Sequence, residues 1–118
     1  MDKNIELWLH DMLSAVDEIF EFLPEPRNYL EFKKDRKTQR AVERNIEILG
    51  EAMHRILKTD PEFNIANARR IVDTRNRVIH GYDTVSSSII WAIAIKELPK
   101  LRKEIAEMLS FQDENPDR

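Results

Sequence analysis

Apolar residues recur at steps of three and four along four stretches of the chain. This spacing is typical of an amphipathic helix that buries one stripe of its surface. The first stretch covers residues 2–23 and is followed directly by Pro24 and Pro26. Because proline disfavours helix at the preceding residue and donates no backbone hydrogen bond, we predict that the first helix ends there.

The second stretch begins at Asn28, and Glu31 three residues later completes a capping-box pattern. Apolar positions continue to about residue 58, so we predict one long second helix of roughly 45 Å at 1.5 Å per residue. Residues 33–40 contain no apolar side chain. We therefore expect this part to project beyond the core or to face a partner.

The third predicted helix covers residues 65–80, where Gly81 is a natural stop. The last helix is predicted to start near Ser87 and to kink near Pro99, whose ring clashes with the preceding turn. Short links between four helices favour an all-α, four-helix up-and-down bundle. We expect a single helical domain over residues 1–111 and a flexible polar tail over 112–118.

The amino-acid composition argues against several classes of protein. Two glycines and five prolines supply few tight turns for an all-β fold, and the absence of cysteine excludes disulfides and cysteine zinc sites. The longest apolar run, 89–95, is far shorter than the roughly 18 residues of a membrane span. The polar N-terminus does not resemble a signal peptide. We therefore expect a cytoplasmic protein that does not enter membranes.

The net charge of −3 conceals a segregation of charge along the chain. Residues 1–26 carry seven acids and one lysine, residues 27–45 carry seven bases and three acids, and residues 65–85 carry four arginines and two aspartates. Such runs can be solvated helix faces. Alternatively, the cations form a basic lining for RNA. The candidate RNA-binding residues are Lys33, Lys34, Arg36, Lys37 and Arg40.

Chemistry-bearing side chains are concentrated in residues 73–83. Arginine binds phosphate, and histidine carries a proton near neutral pH. Arg75 and His80 are five residues apart, which places their side chains roughly 140° apart around a regular helix. One straight helix could not easily direct both at one phosphate. Either the helix unwinds toward Gly81, or a second copy of the chain completes the site.

A second copy would also supply a second histidine. Cleavage of RNA by its own 2′-hydroxyl needs a base for that hydroxyl and an acid for the leaving oxygen. Arg75, with Arg77, would neutralise the charge that grows on the phosphorane. No metal is needed, and no set of carboxylates has convincing metal-ligand spacing.

The pattern Arg75-Asn76, His80 and Tyr82 resembles the R-x4-H-x-Y motif of HEPN-domain proteins of the HepT type. The resemblance extends to residues 35–44, 48–52 and 97–101, and it covers most of the chain. One departure is that residues 65–67 read Ile-Ala-Asn, where the family often has a proline-tryptophan pair.

The resemblance implies a homodimeric, metal-independent endoribonuclease that needs no cofactor and acts on tRNA or mRNA. It also implies the toxin of a type VII-like toxin-antitoxin system, whose partner is a nucleotidyltransferase antitoxin. Arg75 and His80 would be catalytic, and Asn76, Arg77 and Tyr82 would support the site. Tyr82 would also be the residue that the antitoxin adenylylates, because AMP there adds bulk and negative charge beside the arginines.

Other interpretations stay open. Arg75 can be a surface ion-pair residue, and His80 can interact with the negative end of a helix dipole. A non-catalytic HEPN module that binds RNA, a nucleotide or the nucleotidyltransferase would carry the same motif.

Overall fold

The computed structural model of the protein describes residues 1–71, 73 and 87–114, and within these ranges all regular secondary structure is helical. The all-α prediction is confirmed, while the up-and-down order of four helices stays a prediction. The elements are α1 (Lys3–Phe22), α2 (Tyr29–Lys34), α3 (Arg36–Thr59), a segment α4 (residues 68–71 and 73), α5 (Ser87–Ala92), a π-helical turn (Ile93–Glu97) and α6 (Leu98–Glu114).

The core forms where the apolar stripe of α1 packs against α3 and α6. Each stripe repeats at three- and four-residue steps, as the sequence predicts. The largest side chains that are almost completely buried are Leu9, Met12, Val16, Ile19, Val42, Ile46, Leu49, Ile56, Ile90, Leu98, Leu101 and Ile105.

The prediction of one continuous second helix is wrong, because the chain leaves the helix at Asp35. The Asp35 carboxylate accepts the backbone N–H of Thr38 at 3.0 Å and its hydroxyl at 2.6 Å, which makes Asp35 the N-cap of α3. The Gln39 amide donates to the carbonyls of Phe32 and Lys33 at 2.7 and 3.0 Å. These side chains satisfy backbone groups that an unbroken helix would pair internally.

The beginning of α2 agrees with the sequence. The Asn28 side chain accepts the backbone N–H groups of Leu30 and Glu31 at 2.9 and 3.3 Å. The end of α1 at Phe22, just before Pro24, also agrees with the prediction.

Segment α4 begins at residue 68, three residues later than predicted. Glu104 of α6 accepts the backbone N–H groups of Ala66 and Asn67 at 3.0 and 3.3 Å. A carboxylate at this position satisfies free amides and complements the positive end of the helix dipole. The predicted continuation of this helix to residue 80, and its stop at Gly81, lie outside the described residues.

The last helix is described from Ser87 onward and widens into the π-helical turn Ile93–Glu97. Its predicted start near Ser87 borders residues outside the described ranges and stays a prediction. The N–H of Leu98 donates to the carbonyl of Ile93, five residues earlier. Pro99 is the second residue of α6 and follows the π-helical turn without a break in the helix, so its missing N–H removes one backbone hydrogen bond inside the last helix. The predicted kink stays a prediction. Helix α6 continues to Glu114, beyond the predicted start of the tail, and the domain division also stays a prediction.

An aromatic contact attaches α2 to α5. The Trp91 ring lies 5.6 Å from that of Tyr29 and 5.3 Å from that of Phe32, both in tilted geometry. The Tyr29 hydroxyl and the Ser87 hydroxyl are 3.3 Å apart, within hydrogen-bonding distance. Since α2 has only six residues, this contact rather than intrinsic helix propensity holds it in place.

Replacing Phe32 by alanine should lower the free energy of unfolding by about 3 kcal/mol, because Phe32 is almost fully buried. The matched control is Leu30→Ala on the same helix, whose side chain is 67% exposed and should cost less than about 0.5 kcal/mol. Denaturant unfolding of the two variants measures the difference. Equal losses would show that the aromatic contact does not hold α2.

Candidate functional site

The predicted catalytic and supporting residues lie outside the described part of the chain. These residues are Arg75, Asn76, Arg77, His80 and Tyr82. The structure therefore neither brings them together nor separates them, and their roles stay predictions. The structure does describe the chain on both sides of residues 74–86, which contain these five residues and which we name the motif stretch.

Both ends of that stretch are attached to described helices. Asp73 belongs to α4, and Ser87 is the first residue of α5. The hydroxyl contact between Ser87 and Tyr29 places α2 beside the residue at which the described chain resumes. The corner between α2 and α3 therefore lies on an element that is fixed next to the end of the motif stretch.

This corner carries all five of the predicted RNA-binding residues. Two cations end α2 and three lie in the first turns of α3, and all five are exposed. In the described part of the chain none of them forms an ion pair with a carboxylate. We name this surface the basic corner; it consists of Lys33, Lys34, Arg36, Lys37 and Arg40.

The arrangement of the basic corner concentrates positive potential. Arg36 and Lys37 lie in the first turn of α3, where the helix dipole is also positive and acidic residues would be more stable. Asp35 is the carboxylate at the centre of the corner. The hydrogen bond from the Thr38 side chain, assisted by the Thr38 backbone N–H and the charge of Lys37, lowers the pKa of Asp35. Asp35 is therefore ionised at neutral pH and serves as a cap, while five cations face solvent.

A cleft of about 330 Å³ lies between α4 and the end of α5. One wall carries Arg70, Ile71 and Asp73. The other carries two residues of α5 and three of the π-helical turn, namely Ile89, Ala92, Ile93, Lys96 and Glu97. Asp73 lines the cleft and directly precedes residue 74, the first residue of the motif stretch. The cleft therefore extends to the start of that stretch.

The π-helical turn shapes the far wall of this cleft. In a regular helix Glu97 would lie about 80° around the axis from Ile89. A π-helical turn holds more residues than an α-helical turn, so it rotates Glu97 back toward Ile89. Glu97 there accepts a hydrogen bond from the Arg70 guanidinium at 3.2 Å. The two walls are thus joined by an ion pair.

The sequence prediction missed the cleft residues Arg70, Lys96 and Glu97. Their one signal in the sequence is that Lys96 and Glu97 directly follow the apolar run 89–95 and precede Pro99. The π-helical turn that brings them to the cleft has no such signal in the hydrophobic pattern.

The described histidines, His10 and His54, are exposed, and neither lines the cleft. Among residues 1–71, 73 and 87–114, no three His, Asp or Glu side chains form a group that could hold a metal ion. The metal-independent mechanism stays a prediction, because His80 and Asp83 lie outside those ranges. No helix in the described ranges is long and apolar enough to span a membrane.

Comparison with known proteins gives a consistent result. The sequence model of the family described as "Ribonuclease HepT-like" matches residues 12–108, which include the whole 75–82 motif. A "Putative RNase" of Methanocaldococcus jannaschii is 32% identical over 120 residues, covering 96% of this chain and 96% of the relative.

Two further relatives come from other organisms. A "Putative RNase" of Caldanaerobacter subterraneus subsp. tengcongensis is 35% identical over 86 residues, which cover 70% of this chain and 74% of the relative. A "Probable ribonuclease HepT" of Thermococcus cleftensis is 30% identical over 112 residues, which cover 92% of this chain and 98% of the relative. No solved structure matches the chain significantly.

Proposed function

The chain belongs to the HepT-like ribonuclease family, and on this basis we propose that it is a metal-independent endoribonuclease whose catalytic residues are Arg75 and His80. The observation that supports this best is the intact R-x4-H-x-Y pattern inside the matched residues 12–108. The all-helical fold and the exposed basic corner agree with it.

The proposed reaction uses the 2′-hydroxyl of the RNA as the nucleophile. His80 of one chain removes the hydroxyl proton as the oxygen attacks the phosphorus. His80 of a second chain donates a proton to the 5′ oxygen that leaves. Arg75 and Arg77 stabilise the charge on the phosphorane, and Asn76 orients the phosphate. The products are a 2′,3′-cyclic phosphate and a 5′-hydroxyl, so the reaction needs neither water nor a metal ion.

A homodimer is part of this proposal. His10 and His54 lie in α1 and α3, so the motif stretch itself offers only His80 as an acid or base. In a regular helix Arg75 and His80 would point roughly 140° apart. A twofold axis that passes beside the motif stretch would bring together two histidines and two sets of arginines.

The basic corner would bind the RNA backbone on either side of the cut. Its five cations form no ion pair with a described carboxylate, so they are available to phosphates. Tyr82 precedes Ser87 by five residues, a reach of at most about 18 Å for an extended chain. Because Ser87 contacts α2, one bound RNA could extend from the motif to the basic corner.

We further propose that this activity makes the protein the toxin of a type VII-like toxin-antitoxin pair that acts on cytoplasmic tRNA or mRNA. A nucleotidyltransferase antitoxin would transfer AMP from ATP to the Tyr82 phenolic oxygen and release pyrophosphate. The added phosphate would occupy the arginines that otherwise bind the RNA phosphate.

Purified protein should cleave tRNA or mRNA in the presence of EDTA, and His80→Ala should reduce the rate by at least about 100-fold, because a general acid and base is lost. His54→Ala is the matched control, since His54 is exposed on α3, and it should cleave at the wild-type rate. Gel analysis of end-labelled RNA measures both rates. Cleavage by His80→Ala at the wild-type rate would rule out the assignment, and RNA binding without cleavage by the wild type would indicate the non-catalytic module.

Reversing the charge of Lys33, Lys34 and Lys37 to glutamate should weaken binding of single-stranded RNA. The slope of log affinity against log salt should fall by about 2, since each lost phosphate contact contributes about 0.7. The same reversal at the exposed Lys58, Lys100 and Lys103 changes the net charge equally and should have a much smaller effect. Fluorescence anisotropy across a salt series measures both slopes. Equal slopes in the two triple variants would mean that the basic corner does not bind RNA.

Co-expression with the nucleotidyltransferase should place AMP on Tyr82 and abolish cleavage. Tyr29, the other tyrosine of the chain, is the internal control and should remain unmodified because α5 half-buries it. Peptide mass spectrometry locates the modification, and Tyr82→Phe should resist both modification and neutralisation. An inactive protein with an unmodified Tyr82 would refute this mode of control.

A further inference from the structure

The cleft between α4 and the π-helical turn has the properties of a binding site for a small ligand. Its volume of about 330 Å³ is within the range of small-molecule sites. Three isoleucines line it: Ile89 is 40% exposed and supplies most of the apolar surface, whereas Ile71 and Ile93 are buried and contribute only small exposed areas. Ala92 is also exposed on this surface, so its small side chain leaves room for a planar group above the isoleucines.

Glu97 and Lys96, two charged residues that line the cleft, differ in whether a described residue pairs with them. The Glu97 carboxylate is engaged by Arg70, which donates to both of its oxygens at 3.2 and 3.5 Å. Lys96 is exposed, and in the described part of the chain no carboxylate pairs with it. The ammonium group of Lys96 is therefore available to an anion, whereas the carboxylate of Glu97, the next residue in the sequence, is already paired with Arg70.

Asp73 lies on the opposite wall from Lys96. A ligand with an anionic group at one end and hydrogen-bond donors at the other would match both walls. A nucleotide has this form, since its phosphate is anionic and its base is flat, largely apolar on its faces and often carries an amino group.

We propose that this cleft binds one nucleotide of the RNA substrate, next to the nucleotide that is cut. The base lies on Ile71, Ile89 and Ile93, and Lys96 contacts its phosphate. This inference rests on the proposed ribonuclease function and gives it a binding subsite outside the motif. The position of Asp73, two residues before Arg75, places the subsite beside the start of the motif stretch.

Methyl NMR of the full-length protein with labelled isoleucines tests the site with 5′-AMP as the probe. Addition of AMP should shift the Ile89 and Ile93 methyl signals and leave the core residues Ile5 and Ile19 unchanged. Lys96→Ala should weaken AMP binding by about tenfold, as expected for one phosphate contact. Lys100→Ala, an exposed lysine of α6 that does not line the cleft, should change it less than twofold.

A second variant blocks the cleft without entering the core. Ala92→Phe places a large side chain on an exposed position, so it should abolish the AMP-induced shifts while the melting temperature stays close to that of the wild type. In RNA cleavage, Lys96→Ala and Ala92→Phe should raise KM by about tenfold and change kcat less than twofold, because they remove binding that is equal in ground and transition states.

The proposal is overturned if AMP leaves the Ile89 and Ile93 signals unmoved, or if Lys96→Ala and Lys100→Ala bind AMP equally. These results are independent of cleavage. RNA cleavage without AMP-induced shifts would remove the subsite and leave the proposed ribonuclease intact. AMP-induced shifts in a protein that does not cut RNA would show a nucleotide site, but they would overturn both the proposed ribonuclease and the assignment of this cleft to its RNA substrate.

Discussion

The contact of Trp91 with Tyr29 and Phe32 is the interaction on which the proposed RNA-binding surface depends. Helix α2 has six residues and would not be stable alone in water. The buried Phe32 ring fixes α2 on α5, and α5 begins directly after the motif stretch. A short helix at the protein surface thereby becomes a rigid support for two cations. The Asp35 cap then separates α2 from α3, whose first turns carry three more exposed cations.

The segregation of charge makes this surface possible in a protein that is acidic overall. A net charge of −3 would repel RNA if it were evenly distributed. Residues 1–26 carry seven of the 22 acidic residues and only one lysine, and several carboxylates elsewhere are engaged within the described structure. Glu104 caps the turn before α4, and Glu97 pairs with Arg70. No described carboxylate pairs with Lys96 or with the five cations of the basic corner, so these side chains are the proposed phosphate contacts.

Much of the fold could be predicted from the sequence, because buried stripes repeat with the period of the helix that carries them. The cap at Asn28 and the end of α1 before Pro24 are also local properties, and both are confirmed. The hydrophobic pattern does not reveal the break at Asp35, because residues 33–40 contain no apolar side chain. A change in the helical spacing of apolar residues therefore could not be seen there. The capping pattern of Asp35 and Thr38 was the available signal.

The cleft could not be predicted, because it depends on tertiary contacts and on a change of helix type. Lys96 and Glu97 reach it through the π-helical turn, and Arg70 reaches it from a segment 27 residues earlier than Glu97. The catalytic assignment came instead from the resemblance of the motif. The comparison with known families supports its coarser part, that the chain is a HepT-like ribonuclease.

In the proposed reaction the RNA supplies its own nucleophile, and side chains of the motif stretch supply the acid and the base. The most direct measurement uses two synthetic RNAs that differ in one atom, the 2′ oxygen of the nucleotide before the cut. With EDTA present, the all-ribose RNA should be cut to a 2′,3′-cyclic phosphate, and the 2′-deoxy RNA should stay intact at that position. Cleavage of both RNAs at the same rate, or loss of all cleavage when EDTA is added, would contradict it.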